Sequence, residues 1–306
     1  MEVTPLKKKK SNQNQHTQMW VVGSGKGGVG KTFVSTSLAI TLSKLGHQVV
    51  IVDMDLSGAN VHTSLGVDPS HLSLRHYFDG QKQLSEIVLP TPHLKLSYIQ
   101  GLWDTWSSYE VTADQIKAMI PEFKKLNAEY IIVDLGVGAS PAYMEFFKEA
   151  DEKILVTNPE PTTIEKTYRY IESYICSSLN EELSKEQYEQ LIIQLREHRQ
   201  GTLTEELSFK QLLRGRSFTK IPIRLVMNSS RSQTNKELGY SMKSVTKKYY
   251  DLGLDYIGVI DYDNAVWQSV KGCEHVLFAQ PFTPLAGQFL SACKHLIDPG
   301  ELRAVV

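Results

Sequence analysis

Cysteine is scarce in this sequence: Cys176, Cys273 and Cys293 are the three among 306 residues, and they are widely spaced. An odd number of distant cysteines excludes a disulfide framework and is typical of a protein in a reducing compartment. The sequence also lacks a C-x-x-C pair, and no apolar run approaches the roughly 20 residues that a membrane-spanning helix needs. The basic N-terminus lacks the apolar core of a secretory signal, so we expect a cytoplasmic protein.

Neither sign of charge is in excess, since 33 Lys and Arg residues are balanced by 34 Asp and Glu residues. A net charge near zero provides no global field that attracts nucleic acid or an acidic membrane, so such binding must come from local patches. Hydrophobic residues make up 41% of the chain, which is ordinary for a globular protein. The length of 306 residues is sufficient for one large α/β domain or two small ones.

The most specific motif is a glycine-rich loop at Gly25–Thr32, which fits G-x-x-x-x-G-K-[ST]. It follows the apolar run Met19–Val22, which predicts a buried strand, and it precedes a pattern with helical periodicity. Glycines let backbone N–H groups approach phosphate oxygens, and the new helix presents its positive end to them. Lys31 is expected to reach the β- and γ-phosphates, and the Thr32 hydroxyl to hold Mg²⁺. The predicted nucleotide-binding residues of this loop are Gly25, Lys26, Gly27, Gly28, Val29, Gly30, Lys31, Thr32 and Phe33.

Carboxylates end two further apolar runs. Asp53 and Asp134 each follow such a run, and Asp55 lies two residues beyond Asp53. The carboxyl ends of parallel strands are where α/β sheets bind ligands, and oxygen ligands suit Mg²⁺. The run that ends in Asp134 is the Walker B pattern, in which the terminal Asp reaches the metal. We therefore predict Thr32, Asp53 and Asp134 as the metal-binding residues.

In these motifs the chain resembles the MinD/ParA family of ATPases, whose deviant phosphate loop K-G-G-x-G-K-[ST] is matched by residues 26–32. The family's first switch region, D-x-D-x-x-x-x-N, is matched by Asp53, Asp55 and Asn60. The resemblance implies that Lys26 reaches across a dimer interface to the partner's nucleotide. It further implies that Asp55 orients the attacking water and that Asn60 helps to sense the γ-phosphate. The catalytic residues implied in this way are Lys26, Lys31, Asp55 and Asn60.

Two later positions also match this family. Asn228 ends an apolar run at the position whose amide hydrogen-bonds adenine in the relatives, although Ser229 and Ser230 intervene here before Arg231. The stretch around Glu160 is similar to a MinD loop near the dimer face, which makes Glu160 a candidate interface residue. A proline-flanked helix start explains Glu160 equally well.

The expected fold is a single α/β domain of the SIMIBI type of P-loop NTPase, with a doubly wound, mostly parallel twisted sheet and helices on both faces. We place this domain at residues 18–297, between a basic, polar tail at 1–17 and a short tail at 298–306. A helical hairpin inserted at about 176–217 departs from the relatives. It is either the partner-binding arm of the protein or only a decorated crossover.

The C-terminal segment and a lysine cluster on a predicted helix are relevant to membrane and DNA binding. MinD and FlhG relatives end in a basic amphipathic helix that lies on the membrane, whereas Pro299 and Gly300 prevent a long helix here. Direct membrane binding through the C-terminus is therefore not expected. Lys243, Lys247 and Lys248 cluster on a predicted helix, either as a solvated face or as a nonspecific DNA contact, and we do not favour the DNA contact.

The resemblance implies an ATP-dependent dimerisation switch with ATP and Mg²⁺ as cofactors. We expect a homodimer in the ATP state and slow hydrolysis that is stimulated by a protein partner, which recruits the protein to the cell pole or membrane surface. The pattern is closest to the FlhG-like regulators of flagellar placement and number. A ParA-like ATPase that partitions DNA or cargo, and a nucleotide-propped scaffold with negligible hydrolysis, remain as alternatives. The lack of a C-x-x-C pair counts against the iron–sulfur carrier relatives.

Overall fold

Strands and helices alternate along most of the chain, which is the pattern of a parallel sheet with crossover helices. The computed structural model describes residues 17–56, 58–102, 110–199, 213 and 215–298. Its strands are β1 (Gln18–Gly23), β2 (Val49–Met54), β3 (Leu89–Pro90), β4 (Leu96–Ile99), β5 (Tyr130–Leu135), β6 (Glu152–Thr157), β7 (Ile223–Ser230) and β8 (Leu254–Asp261). Its helices are α1 (Lys31–Lys44), α2 (Val61–Leu65), α3 (Leu74–Phe78), α4 (Ala113–Phe123), α5 (Pro141–Glu149), α6 (Pro161–Glu182), α7 (Lys185–Arg199), α8 (Gln233–Tyr250), α9 (Asn264–Lys271), α10 (Val276–Ala279) and α11 (Pro284–Ile297), with short 3₁₀ turns at Leu84–Ile87 and Ser217–Thr219.

The strands form one sheet in the order β3-β4-β2-β5-β1-β6-β7-β8. The pairs are parallel from β4 to β8, and only the two-residue β3 is antiparallel to its neighbour β4. The central strand β1 lies between β5 and β6, so the loop after β1 leaves the sheet where the winding reverses. Open α/β sheets bind ligands at such a switch point. In this sheet the glycine-rich loop lies at the switch point.

Two layers of buried side chains cover the two faces of the sheet. Helices α1, α2, α10 and α11 contribute to one layer, and α4, α5, α6 and α8 contribute to the other. Strand β1 supplies both layers, because Trp20 packs in the first and Val21 in the second. The predicted doubly wound, mostly parallel sheet with helices on both faces is confirmed.

The first helix after β6 extends further along the chain than the sequence suggested. Helix α6 continues unbroken to Glu182, so the predicted beginning of the hairpin near residue 176 lies inside α6. The chain turns before α7 begins at Lys185, and Leu191 of α7 is buried in the same layer as α6. The beginning of α7 therefore packs on the domain.

Several predicted segments lie wholly or partly outside the described residues. They are the tails, of which residues 1–16 and 299–306 are not described, and part of the hairpin, at residues 200–212 and 214. Within the part of the chain that the structure describes, no helix is both long enough and apolar enough to cross a membrane.

Candidate functional site

The glycine-rich loop connects the end of β1 to the first turn of α1. Gly28 and Gly30 have φ values of 77° and 84°, in the left-handed region that favours glycine. Gly25 packs against α6 so closely that a Cβ there would overlap the carbonyl group of Lys166. The loop therefore requires glycine for its shape at three of its positions, and it ends where α1 presents its unpaired N–H groups.

The buried carboxylate of Asp134, at the end of β5, gathers the side chains of the first turn of α1. It accepts hydrogen bonds from Lys31 Nζ at 2.9 Å, from Thr32 Oγ1 at 2.6 Å and from Ser35 Oγ at 2.7 Å. Lys31 is 6% exposed and Asp134 is completely buried, so this ion pair is shielded from water. The structure brings together the predicted Lys31, Thr32 and Asp134.

Sequence reasoning missed Ser35, because the motif that it used ends at Thr32. Ser35 lies four residues after Lys31, and residues four apart share one face of a helix. A hydroxyl residue one helical turn after Lys31 is the signal that would have identified it, although α1 contains several other hydroxyl residues.

A second carboxylate, that of Asp53, lies beside Asp134. The two residues are register partners on the adjacent strands β2 and β5. Asp53 is 1% exposed and accepts hydrogen bonds from the N–H groups of Val61 at 2.9 Å and Asp55 at 3.1 Å. Burial, and then the neighbouring charge of Asp134, raise the pKa of Asp53 to about 7. Two crowded carboxylates beside the Thr32 hydroxyl form a donor set that fits Mg²⁺, because a divalent cation relieves their repulsion.

The other two predicted switch residues lie in the loop between β2 and α2. Asp55 is half-buried directly after the end of β2, and Asn60 is exposed at the N-terminus of α2. The side chain of Asn60 does not cap this helix, so its amide remains available to a ligand. Their predicted roles with water and with the γ-phosphate remain predictions.

Lys26 lies on the outer side of the glycine-rich loop. Its Nζ is 2.8 Å from Glu160 Oε2 and 3.2 Å from Thr162 Oγ1, at the N-terminus of α6. The side chains of Lys26 and Glu160 are 39% and 57% exposed. The hydrogen bond from Lys26 lowers the pKa of Glu160. Both residues predicted to lie near a dimer face are thus accessible from outside the molecule, and their contact with a second copy remains a prediction.

Asn228 and Phe33 both contact other parts of the protein. Asn228 Nδ2 donates a hydrogen bond of 2.8 Å to the carbonyl of Val29, and a Cβ on Gly30 would overlap this amide. The ring of Phe33 stacks on His275, with ring centroids 5.4 Å apart. Asn228 thus holds the phosphate loop by this hydrogen bond. Its predicted contact with adenine remains a prediction.

A cavity of about 500 Å³ opens at the carboxyl ends of β7 and β8. The residues that line it are Ser230, Arg231, Ser232, Lys236, Asp261 and Tyr262. The guanidinium group of Arg231 lies over the Tyr262 ring, 3.9 Å from its centroid. The cavity is therefore lined mainly by polar and charged side chains, with one aromatic ring.

Comparison with known proteins decides the family. The model of the ParA family, described as "NUBPL iron-transfer P-loop NTPase", matches residues 15–182. The chain belongs to the ParA/MinD family of P-loop NTPases. The resemblance inferred from the loop motifs is thereby confirmed, as is the ATPase class to which its members belong. ATP and Mg²⁺ are the cofactors of this family, and the septum site-determining protein MinD of Pyrococcus horikoshii was solved in complex with Mg-ADP.

The relatives of this ParA/MinD protein differ in how much of the chain aligns with them. Antiactivator FleN of Pseudomonas aeruginosa is 28% identical over 86% of this chain and 80% of FleN. Flagellum site-determining protein YlxH of Helicobacter pylori is 31% identical over 64% of each chain. The chain spans about half the length of the MinD relatives that it matches, such as the putative septum site-determining protein MinD of Oltmannsiellopsis viridis, with 32% identity over 46% of that protein.

A solved structure shows the same fold. The cell division ATPase MinD of Pyrococcus furiosus superposes with a TM-score of 0.66 at 20% identity, over 92% of this chain and 98% of that chain. The α/β architecture of the family thus extends well beyond the residues that the family model matches.

Proposed function

We propose that this protein is a Mg²⁺-dependent ATPase switch, in which ATP closes a homodimer and hydrolysis releases it. The observation that carries the proposal is the convergence of Lys31, Thr32 and Ser35 on the buried carboxylate of Asp134. A lysine for the phosphates, a hydroxyl for the metal and a buried carboxylate beside both are the parts that phosphoryl transfer requires.

In this proposal the chain's own groups hold the phosphates and handle the water. The N–H groups of the loop and the ammonium group of Lys31 bind the phosphates. Thr32, Asp53 and Asp134 would hold Mg²⁺, which would neutralise charge on the phosphates. Asp55 orients the attacking water, and Asn60 responds to the γ-phosphate.

The cavity at the ends of β7 and β8 takes the base of the nucleotide in this proposal. Its volume of about 500 Å³ lies within the usual range of small-molecule sites. Arg231 and Tyr262 offer flat surfaces on which a base can stack. Asn228 comes two residues before Ser230 of the cavity wall and is bonded to the phosphate loop, so it connects the two parts of the nucleotide site.

Control of flagellar placement or number is the cellular role that we favour. FleN, which the chain matches over 80% of its length, is named an antiactivator, and YlxH is named a flagellum site-determining protein. We expect slow hydrolysis that a protein partner stimulates. This partner would also recruit the cytoplasmic protein to the cell pole or to the membrane surface, and the segment around α7 is its proposed docking region.

A DNA- or cargo-partitioning ATPase is the second candidate, and the exposed lysines of α8 favour it. Lys243, Lys247 and Lys248 all face solvent. However, Lys247 pairs with Asp251 at 2.7 Å, and Lys243 lies 3.9 Å from Asp255, so part of this positive charge is neutralised within the molecule. ATP-dependent retention on DNA that is lost as salt rises would support this candidate over the first.

The test of the proposal compares Lys31→Ala and Asp55→Ala with the wild type. Lys31→Ala removes a charged phosphate contact and should weaken ATP binding on the order of 10- to 100-fold. Asp55→Ala should keep ATP binding, lose phosphate release and accumulate as an ATP-bound dimer. Fluorescent nucleotide titration, phosphate release and light scattering measure the three properties. Lys124→Ala, an exposed position at the end of α4, is the matched control.

Three outcomes would contradict parts of the proposal. Normal turnover by Asp55→Ala would show that this residue is wrongly assigned. Wild-type protein that dimerises on ATP without releasing phosphate, even when cell lysate is added, would favour a nucleotide-propped scaffold. Wild-type protein that neither binds ATP nor changes its mass would refute the switch.

A further inference from the structure

Tyr143 lies outside the sequence motifs, yet its phenol group reaches the loops that follow β2 and β5. The residue is in the first turn of α5, where the Ser140 side chain caps its N–H group at 3.3 Å. The ring is 9% exposed and packs in the core layer on that face of the sheet. Its hydroxyl touches Gly136 so closely that a Cβ on that glycine would overlap it.

The backbone of each loop lies against the phenol group of Tyr143. The contacts are with Leu56, directly after Asp55, and with Gly136, two residues after Asp134. Both backbone contacts favour the phenolate, as N–H donors do, but burial and then the charge of Asp55 outweigh them and raise the pKa of Tyr143 to about 12. The phenol therefore keeps its proton at neutral pH.

The loop after β5 is also attached to the phosphate loop. The N–H group of Gly138 donates a 3.1 Å hydrogen bond to the carbonyl of Ser24. The side chain of Val137 would be in van der Waals contact, at 3.5 Å, with a Cβ on Gly27. The phosphate loop thus contacts the loop after β5, and the phenol oxygen of Tyr143 lies between Gly136 of that loop and Leu56.

We propose that Tyr143 is a positioning residue that holds the Asp55 loop in register with the loop after β5. The inference rests on the proposed function, because it explains how Asp55 keeps its place beside the phosphates. Tyr143 acts only through the backbone of its neighbours. Its removal should therefore reduce the rate of hydrolysis and spare the affinity for nucleotide.

The test is Tyr143→Phe, which removes the phenol oxygen and keeps the ring in the core. We expect kcat to fall about tenfold while KM and the affinity for ATP change by less than about twofold. Tyr174→Phe is the matched control, because Tyr174 is also buried and its hydroxyl donates to a backbone carbonyl, that of Phe218 at 3.2 Å. This control should leave kcat unchanged.

A second measurement does not depend on turnover. Amide hydrogen exchange in the nucleotide-free protein should become faster at Leu56 and Gly136 in Tyr143→Phe, and should remain at the wild-type rate there in Tyr174→Phe. Unchanged exchange at both amides overturns the inference, whether or not the wild type hydrolyses ATP. Faster exchange with an unchanged kcat overturns the positioning role. A wild type without ATPase activity refutes the proposed function. In that case the exchange rates still test whether Tyr143 connects the two loops.

Discussion

Single residues near Asp134 determine whether a buried charge is tolerated. The carboxylate has no exposed surface, and removal of its compensating partner from such a site costs about 3–5 kcal/mol. Lys31 supplies the opposite charge, and the hydroxyls of Thr32 and Ser35 donate two further hydrogen bonds. Because a nucleotide requires the same donors, stability and ligand binding are linked at this carboxylate.

Ser35→Ala tests this link at a residue that no motif includes. The change removes one donor to Asp134 and should lower the free energy of unfolding by about 1–2 kcal/mol. It should weaken ATP binding by less than tenfold, since the charge of Lys31 remains. Urea unfolding with and without ATP and Mg²⁺ measures both effects. Ser43→Ala, where the hydroxyl donates only to the Ile40 carbonyl in the same helix, is the control. Equal losses in both variants would contradict the assigned role.

The predicted residues that the structure brings together at Asp134 each belong to a pattern that is visible in the sequence. Lys31 and Thr32 follow from the spacing of the glycine loop, and Asp134 follows from its place at the end of an apolar run. Asn228 also ends an apolar run, but the sequence could not show that its amide is bonded to Val29, because the two residues are distant in the chain. Contacts such as that of Tyr143 with Gly136 likewise depend on how α5 packs, which no local pattern encodes.

At the scale of elements, apolar runs were predictable, whereas the very shortest elements were not. The apolar runs that predicted β1, β2 and β5 correspond to buried strands. The two-residue β3 and the four-residue α10 are too short for either periodicity to be recognised. Helix α10 nevertheless matters, because its N-cap, His275, packs against α1.

The burial of His275 makes the stability of the protein depend on pH. Its Nδ1 accepts the N–H group of Leu277 at 3.2 Å, so Nε2 carries the hydrogen that faces Thr36 Oγ1 at 3.2 Å and Ser37 Oγ at 3.3 Å. Burial lowers the pKa of His275 to about 3, and the charges of Lys44 and His93 act in the same direction. The folded protein therefore keeps this imidazole neutral at a pH where the unfolded chain protonates it.

The sign of the effect follows from proton linkage. Below about pH 6.5 the unfolded state binds a proton that the folded state does not, so the free energy of unfolding falls by about 1.4 kcal/mol per pH unit towards pH 3. We expect His275→Asn to be less stable at pH 7 and to show a flatter decline between pH 6 and pH 4. Urea unfolding across this range measures the slope. His71→Asn, at an exposed position, should decline as steeply as the wild type, and the same steep slope in His275→Asn would refute the explanation.

The whole molecule presents Lys26 on its surface, bonded to Glu160 rather than buried in its own site. An exposed ion pair of this kind contributes little to stability, because water and salt screen it. If Lys26 exchanges Glu160 for the phosphates of a second molecule, the stability lost with the ion pair is therefore small. The arrangement is compatible with a lysine that acts only after two copies meet.

This arrangement predicts that Lys26 affects assembly more than nucleotide binding. Lys26→Ala in the Asp55→Ala background should bind ATP within about threefold of Asp55→Ala alone, since Lys31 remains to contact the phosphates. It should stay at the monomer mass in light scattering with ATP and Mg²⁺, whereas Asp55→Ala alone should reach twice that mass. Glu160→Gln in the same background releases Lys26 from its ion pair and should still dimerise. A double variant of Lys26 that dimerises as readily as Asp55→Ala would show that the lysine acts within its own subunit.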